Sequence, residues 1–364
     1  MRRYGKPQAS RWHGRLVLTL AGVLVAVLFL FPGDVPQPER LPGPPGKGPL
    51  TLVSIGDSSL SGEGTGIYTP DTDGSGGNWC HRSPKATVHM TSVPGIEETM
   101  NFACSGSPAN HVQLGDIKQY GEPSQAAQLR ELTKDHRIAG VIVAVGANDE
   151  PQFSRLLPRC ARAWFRGPPC SSSIAPQWQS RVDAMKPKVV RALSDIRKVL
   201  ADAGYQREDY QLILQSYASP IGPGIPENLR NLDGCPFQRE DLRWFATDGV
   251  RALSEALRAV ADQVDARFLD LSRAGIGHEA CSGGNDPGTE WFSRLTVRWN
   301  DLGDTRRAPH AVQESFHTNV AGHAQFGGCL TEFLASSAGS GACVIGVNDN
   351  LRAVLDLPSA AAPR

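Results

Sequence analysis

LTLVSIGDSSLSG, at residues 50–62, is the stretch of sequence that decides the fold. The run Leu50–Ile55 is short and apolar, and Gly56-Asp57-Ser58 follows it directly, which is typical of a buried strand that ends in a turn. Similar apolar runs recur along the chain, with a weaker one first, at Met100–Ala103, Ile138–Val145, Gln211–Tyr217 and Arg267–Leu271. Because helical patterns separate these runs, the sequence predicts an α/β fold with a parallel sheet that helices cover on both faces.

Two segments carry the clearest helical patterns. In Arg181–Ala203 and in Asp241–Val264, apolar residues recur every three or four positions, as on the core-facing side of a helix. Pro187 predicts either a kink or a later start for the first helix, and Gly204 is a suitable stop signal.

Composition excludes several classes of protein. The chain has 364 residues, and its 37 lysines and arginines balance its 37 acidic residues, which argues against a protein that binds nucleic acid. Hydrophobic residues make up 40%, enough for a core, while 38 glycines and 27 prolines indicate many loops. Collagen, coiled coil and wholesale disorder are excluded, and a loop-rich globular enzyme is expected.

The N-terminus predicts export. Residues 1–15 carry five basic side chains and no acidic one, and Leu16–Phe31 is a run of sixteen uncharged residues. No small-x-small cleavage site follows, so we expect residues 1–31 to be a signal anchor that crosses the cell membrane once and leaves the catalytic domain outside the cytoplasm. A cleaved signal peptide and a secreted product are the alternative.

The rest of the chain divides into three parts. Residues 32–49 are rich in proline and predict an extended linker. Residues 50–345 are expected to form the catalytic domain, and residues 346–364 a loosely attached C-terminal tail.

Eight cysteines agree with an oxidising compartment. Their number is even and no C-x-x-C pair occurs, which weakens a zinc or thioredoxin interpretation. Eight cysteines allow 105 pairings. The hypothesis that joins neighbours along the chain gives Cys80–Cys104, Cys160–Cys170, Cys235–Cys281 and Cys329–Cys343.

Four short blocks could carry chemistry. Ser58 lies at the first strand-to-helix turn, Gly106 closes a small-residue turn after the weaker strand, and Asn148 follows the strand at 138–145. Near the end, Glu314 precedes His317 by three residues, a spacing at which a carboxylate can fix an imidazole tautomer. Each block alone is more simply a turn or a cap, and the chain lacks the G-x-S-x-G nucleophile elbow.

In this order and together, the blocks resemble those of the SGNH/GDSL hydrolases, above all the disulfide-bonded, exported esterases and lipases of actinobacterial type. The resemblance runs from Ser54 to about Cys343, and Cys80-His81-Arg82-Ser83, Gly277-His278 and the Ser-Phe-His run before Asn319 add to it. It implies a three-layer α/β/α sandwich around a five-stranded parallel sheet of flavodoxin-like order.

The resemblance also implies a role for each block. Ser58 would be the nucleophile and His317 the general base, while the N–H groups of Ser58 and Gly106 and the amide of Asn148 would form the oxyanion hole. The family commonly has Asp where this chain has Glu314, and some relatives orient the histidine by a backbone carbonyl instead. Either Glu314 or such a carbonyl would therefore hold the imidazole.

These groups can carry out ester hydrolysis with water alone. A serine hydroxyl becomes a good nucleophile when a neutral imidazole accepts its proton, and an imidazole of ordinary pKa, about 6.5, does so near neutral pH. No metal or organic cofactor is expected, because water should release the acyl group from Ser58 in a second step. The spacing of His310, His317 and His323 also fits no common zinc pattern. His323 is the competing general base, although its position predicts a packing or capping role at a helix start.

Three functions are compatible with these predictions. The favoured one is an extracytoplasmic serine hydrolase that cleaves carboxylic esters through an acyl-serine intermediate. A cell-envelope glycan O-deacetylase or acyltransferase, or a non-catalytic binding domain on the same scaffold, are the alternatives. The expected partners are an ester-bearing small molecule, a lipid or an acylated glycan, and the membrane through the N-terminal segment, but not nucleic acid.

Overall fold

A seven-stranded sheet crosses the protein in the computed structural model, which describes residues 43–355. The predicted signal anchor, the first part of the proline-rich linker and the last residues of the predicted tail lie outside the described residues. Within residues 43–355, no helix combines the length and the hydropathy that crossing a membrane requires.

The strands confirm the predicted sheet and extend it. In chain order they are β1 (Leu50–Gly56), β2 (Glu98–Asn101), β3 (Arg137–Ala144), β4 (Gln211–Gln215), β5 (Arg267–Asp270), β6 (Ser340–Ile345) and β7 (Leu351–Leu355). Their order across the sheet is β2-β1-β3-β4-β5-β6-β7, so the five predicted strands take the flavodoxin-like order. All neighbouring pairs are parallel except β6 and β7, which are antiparallel.

Two predictions are corrected at the far edge of this sheet. The sheet has seven strands rather than five, and residues 351–355 are not a loose tail, because they pair with β6 from Gly341–Leu355 to Ile345–Leu351. Leu351 is buried against the core. The strand returns through a short polar turn in which Asp349 has a φ of 60°, so the chain adds one antiparallel edge strand after the last parallel one.

Helices cover both faces of the sheet and complete the three-layer sandwich. They are α1 (Ser58–Ser61), α2 (Ala109–Val112), α3 (Gln125–Leu132), α4 (Phe153–Arg166), α5 (Ser171–Asp202), α6 (Arg239–Trp244), α7 (Val250–Gln263) and α8 (Val320–Leu334). Helix α5 packs against α3 and α7, whereas α8 packs against β7 and the turn at Thr87–Met90.

Both predicted helices are present with altered boundaries. Helix α5 begins ten residues before the predicted Arg181 and continues through both of its prolines. Its first turn is held by Asp241, whose carboxylate accepts from the Ser171 N–H at 2.8 Å. The segment predicted as one helix at Asp241–Val264 is α6 and α7 joined by a π-helical turn at Phe245–Gly249.

The four proposed disulfides are confirmed. They join Cys80 to Cys104, Cys160 to Cys170, Cys235 to Cys281 and Cys329 to Cys343. Gly43–Arg364 forms one compact unit, and within its described part it contains a continuous hydrophobic core and all four bridges. A unit with its own core is expected to fold alone, so it can be prepared without the N-terminal segment.

Candidate active site

The nucleophile turn lies where the strand order of the sheet changes direction. Strand β1 has β2 on one side and β3 on the other, and ligands of open α/β sheets bind at the carboxyl ends of such strands. Gly56 ends β1 with a φ of 145°, and a Cβ there would lie 1.9 Å from the carbonyl oxygen of Ala144. Only glycine permits this close approach, and it directs Asp57 and Ser58 out of the sheet edge.

Ser58 and His317 meet at this edge. The Nε2 atom of His317 is 2.9 Å from the Ser58 hydroxyl oxygen, across 259 positions of the chain. His317 lies in the loop before α8, and this loop packs closely on Gly64, where a Cβ would come within 2.8 Å of the His317 backbone. The structure therefore brings together the two residues that the sequence proposed as nucleophile and base.

The structure corrects the prediction for Glu314. The Nδ1 atom of His317 lies 3.1 Å from the backbone carbonyl oxygen of Ser315, so a carbonyl and not Glu314 orients the ring. Between these residues Phe316 has a φ of 59°, which turns the chain so that this carbonyl faces the imidazole. The Glu314 carboxylate instead accepts from the Tyr68 hydroxyl at 2.7 Å and pairs with Arg298.

The predicted oxyanion donors line the two pockets that contain Ser58. Gly106 lines the groove that contains Ser58 and His317, and Asn148 lines a second pocket that contains both. In the described part of the chain, the backbone N–H groups of Ser58 and Gly106 have no hydrogen-bond acceptor. The Asn148 amide has only a long contact, 3.4 Å, to the carbonyl oxygen of Ser107. Three donors are thus available for a developing negative charge.

Comparison with known proteins agrees with this geometry. The family model described as "GDSL-like Lipase/Acylhydrolase family" matches residues 54–325. The chain belongs to this family. It is 24% identical over 279 residues to "Lipase 2" of Streptomyces coelicolor, a match that covers 72% of this chain and 85% of that protein. As a GDSL-type protein with such relatives, it is a carboxylic ester hydrolase.

A solved structure of a Streptomyces enzyme shares the fold. Phospholipase A1 from Streptomyces albidoflavus has a TM-score of 0.50 at 19% identity, and the match covers 76% of this chain and 95% of that one. The extracellular lipase from Streptomyces rimosus has a TM-score of 0.49 at 18% identity, with coverages of 75% and 94%.

A buried carboxylate that the sequence prediction missed connects the loops of this GDSL-type site. Glu63 is completely buried and lies close to His81 (2.8 Å), Ser105 (2.5 Å) and Gln313 (2.7 Å). Burial alone would raise the pKa of Glu63, but the hydrogen bond and charge of His81, the charge of His317 and the hydrogen bond from Ser105 together outweigh it, so this pKa lies below its usual value. In the sequence, Glu63 is visible only as a single carboxylate directly after the serine turn. It belongs to none of the spaced motifs, so its role could not be predicted.

Tyr217 is a second residue that the prediction missed. Its hydroxyl donates to the Asp57 carboxylate at 2.6 Å and accepts from the Ala147 N–H at 3.4 Å, so it joins the serine turn to the loop of Asn148. Burial raises the pKa of Asp57, and the hydrogen bond from Tyr217 opposes this effect. Tyr217 was the last residue of the predicted strand Gln211–Tyr217, and in the structure it lies just after the observed strand β4, at the same edge of the sheet.

His323 is excluded as the competing base by its position. It is completely buried in α8, and its Nδ1 atom lies 2.8 Å from the Thr87 hydroxyl. Burial lowers the pKa of His323 to about 3, so this imidazole stays neutral and serves packing, as the sequence predicted.

Two apolar pockets open onto Ser58 and His317. The smaller, of about 100 Å³, is lined by Asn148, Phe292 and Phe326 among others. The larger is a groove of about 460 Å³ beside Gly106 that runs along α4. We call it the acyl groove below.

Proposed function

We propose that Ser58 hydrolyses esters through an acyl-serine intermediate. The Ser58 oxygen attacks the ester carbonyl carbon while its proton passes to Nε2 of His317, and the alcohol leaves with that proton when the ester C–O bond breaks. Water then attacks the acyl-serine and gives one proton to Nε2. The acid is released as this proton returns to the Ser58 oxygen.

The surrounding groups stabilise the charges of these steps. The N–H groups of Ser58 and Gly106 and the Asn148 amide receive the oxyanion, and such a donor is typically worth about 100- to 1,000-fold in rate. The carbonyl oxygen of Ser315 accepts the Nδ1–H of His317, which leaves Nε2 free to take the serine proton. The single observation that carries the proposal is the 2.9 Å contact between Ser58 and His317 at this edge of the sheet.

The substrates are esters with a sizeable acyl chain. The acyl groove offers about 460 Å³ beside the serine, and side chains such as Leu157, Leu295 and Phe316 make its lining largely apolar. Such a groove favours a hydrocarbon chain over a sugar, because burying apolar surface contributes about 0.8 kcal/mol per CH₂. This favours a lipid-type ester over an acetylated glycan.

The site of action is outside the cytoplasm. The basic residues followed by Leu16–Phe31 support export, and four disulfides support an oxidising compartment. We infer that the N-terminal segment remains as a single membrane anchor. We expect the protein to stay with the membrane fraction after a carbonate wash, and we expect protease added to intact spheroplasts to digest its catalytic domain. A shortened product in the medium would instead support cleavage and secretion.

The direct test is the Ser58→Ala variant of the full chain. We expect it to lose hydrolysis of p-nitrophenyl esters and labelling by a fluorophosphonate probe, while Ser59→Ala keeps the labelling. Unchanged turnover in Ser58→Ala would reject the nucleophile. A panel of octanoate, palmitate and acetylated xylan then tests the substrate class, and activity on the xylan alone would select the glycan deacetylase.

A further inference from the structure

Exposed apolar side chains gather at the mouth of the acyl groove. Four large ones line it, and their exposed fractions are high: Phe165 55%, Leu232 52%, Tyr120 39% and Val312 38%. They come from four separate segments of the chain, namely α4, the loop before α6, the loop before α3 and the loop that carries His317. A contiguous exposed apolar rim of this kind is typical of a surface that binds something other than water.

A basic stripe lies beside this rim on α4. Arg155, Arg159, Arg162 and Arg166 project within about 60° of one another at 3.6 residues per turn. All four are exposed, and none forms an ion pair with a residue in 43–355. From Pro151 to Val182 the sequence contains five arginines and no acidic residue. Arg162 and Phe165 both line the groove, so the stripe and the apolar rim adjoin.

The opposite side of α4 fixes the helix to the protein. Leu156, Leu157 and Cys160 are buried, and the Cys160–Cys170 bridge ties the helix to the start of α5. The helix is therefore amphipathic in three parts: a core side, a groove side and a basic side. A helix with apolar and arginine-rich faces is suited to lie in the interface of a bilayer.

We propose that the rim of the acyl groove and the arginine stripe of α4 form a docking surface for an anionic lipid bilayer. The apolar rim enters the headgroup boundary, and the arginines contact lipid phosphates. The charge of the stripe selects this occupant over a second copy of the chain, whose corresponding face is equally basic and would repel it. The groove mouth then opens into the layer that holds acyl esters, an orientation that rests on the proposed function.

Binding is measured with Gly43–Arg364 carrying Ser58→Ala, so that vesicles stay intact and no N-terminal segment contributes. Vesicles of phosphatidylglycerol and phosphatidylcholine are compared with phosphatidylcholine alone by co-sedimentation. We expect clear preference for the anionic vesicles, and its loss in 0.5 M NaCl. In this background, Arg155→Gln/Arg166→Gln should weaken binding about 10- to 30-fold. The matched control Arg130→Gln/Arg191→Gln removes the same charge from α3 and α5 and should bind like the parent.

The outcomes separate this surface from the proposed chemistry. With Ser58 intact, Arg155→Gln/Arg166→Gln should hydrolyse a soluble butyrate ester at the parental rate but a vesicle-borne ester more slowly. Leu232→Ser should weaken vesicle binding even at low salt. The docking surface would be rejected if the two double arginine variants bound vesicles equally well. It would also be rejected if the protein bound no vesicles but formed a dimer that Leu232→Ser dissociates. Loss of butyrate hydrolysis in Ser58→Ala bears only on the mechanism.

Discussion

At the scale of single residues, the most consequential contact is the one between His317 and a backbone carbonyl. Because the carbonyl of Ser315 orients the ring, Glu314→Gln should change kcat by less than about threefold, whereas His317→Ala should lose on the order of 10⁴-fold, the scale of a disrupted triad. Initial rates on p-nitrophenyl butyrate measure both. Comparable losses would show that the carboxylate acts on the imidazole after all.

The sequence could not predict which group orients the His317 ring, and the reason is physical. The spacing of Glu314 and His317 allows contact, but Phe316 between them has a φ of 59° and turns the intervening carbonyl to the ring. Motif spacing shows which residues are close along the chain. It does not show the backbone dihedral angle that decides which atom faces the imidazole. Ser58, Gly106, Asn148 and His317 were predicted because each follows a strand or matches a family motif.

His323 gives a residue-scale prediction for stability. In the unfolded chain its pKa is ordinary, about 6.5, whereas burial lowers it to about 3 in the folded protein. Between these values the unfolded state binds a proton that the folded state does not, so the free energy of unfolding decreases as the pH falls. The slope is about 1.4 kcal/mol per pH unit, or about 2 kcal/mol from pH 6.5 to 5.

His323→Asn removes the titratable imidazole but keeps a polar side chain that can hydrogen-bond to Thr87. Urea unfolding of the parent and the variant at pH 7 and pH 5 measures how the free energy of unfolding of each depends on pH. The carboxylates contribute equally to the two proteins, so they cancel in the comparison. We expect the variant to be less stable at pH 7 but to lose less stability on acidification. Parallel pH profiles would mean that His323 takes up its proton equally in the folded and unfolded states.

At the scale of elements, Glu63 holds together loops that no strand or helix connects. It joins the segment after α1 to His81, to Ser105 beside Gly106, and to Gln313 in the loop of His317. Glu63→Gln places an amide among hydrogen-bond donors, so these loops should shift. Small displacements of catalytic groups cost up to about 100-fold, and we expect kcat to fall about 10- to 100-fold with little change in KM.

The control for this variant is Glu290→Gln. Glu290 is also buried and pairs with Arg294, but it contacts neither His81 nor Gln313. We expect it to lower the melting temperature without the loss in kcat. If Glu63→Gln retains kcat and only melts earlier, Glu63 is a structural residue and does not position the site.

The strands that the sequence predicted most clearly, β1 and β3, are ones that the core buries on both faces. Strands β1 and β3 consist almost wholly of buried residues, which makes their apolar runs continuous and easy to recognise. Strand β7, in contrast, lies at the sheet edge, is only five residues long, and buries only Leu351. Its pairing with β6 depends on a turn and on tertiary contacts, which local pattern does not encode.

At the scale of the whole molecule, the four disulfides connect the fold to its compartment. One bridge, Cys80–Cys104, ends one residue before Ser105 and two before Gly106, so the oxidation state bears on the site as well as on stability. Removing a native disulfide typically costs about 2–5 kcal/mol, although a large core offsets part of this loss.

Because the bridges close only in an oxidising environment, the same chain should exist in two forms. Full-length protein that is exported should show no free thiols by mass spectrometry after iodoacetamide treatment, whereas Gly43–Arg364 retained in a reducing cytoplasm should carry eight. The reduced form should melt at least about 10 °C lower, since a change of 1 kcal/mol shifts the melting temperature of large domains by about 2–4 °C. Fully alkylated cysteines in the exported protein would contradict both the compartment and the role of the bridges.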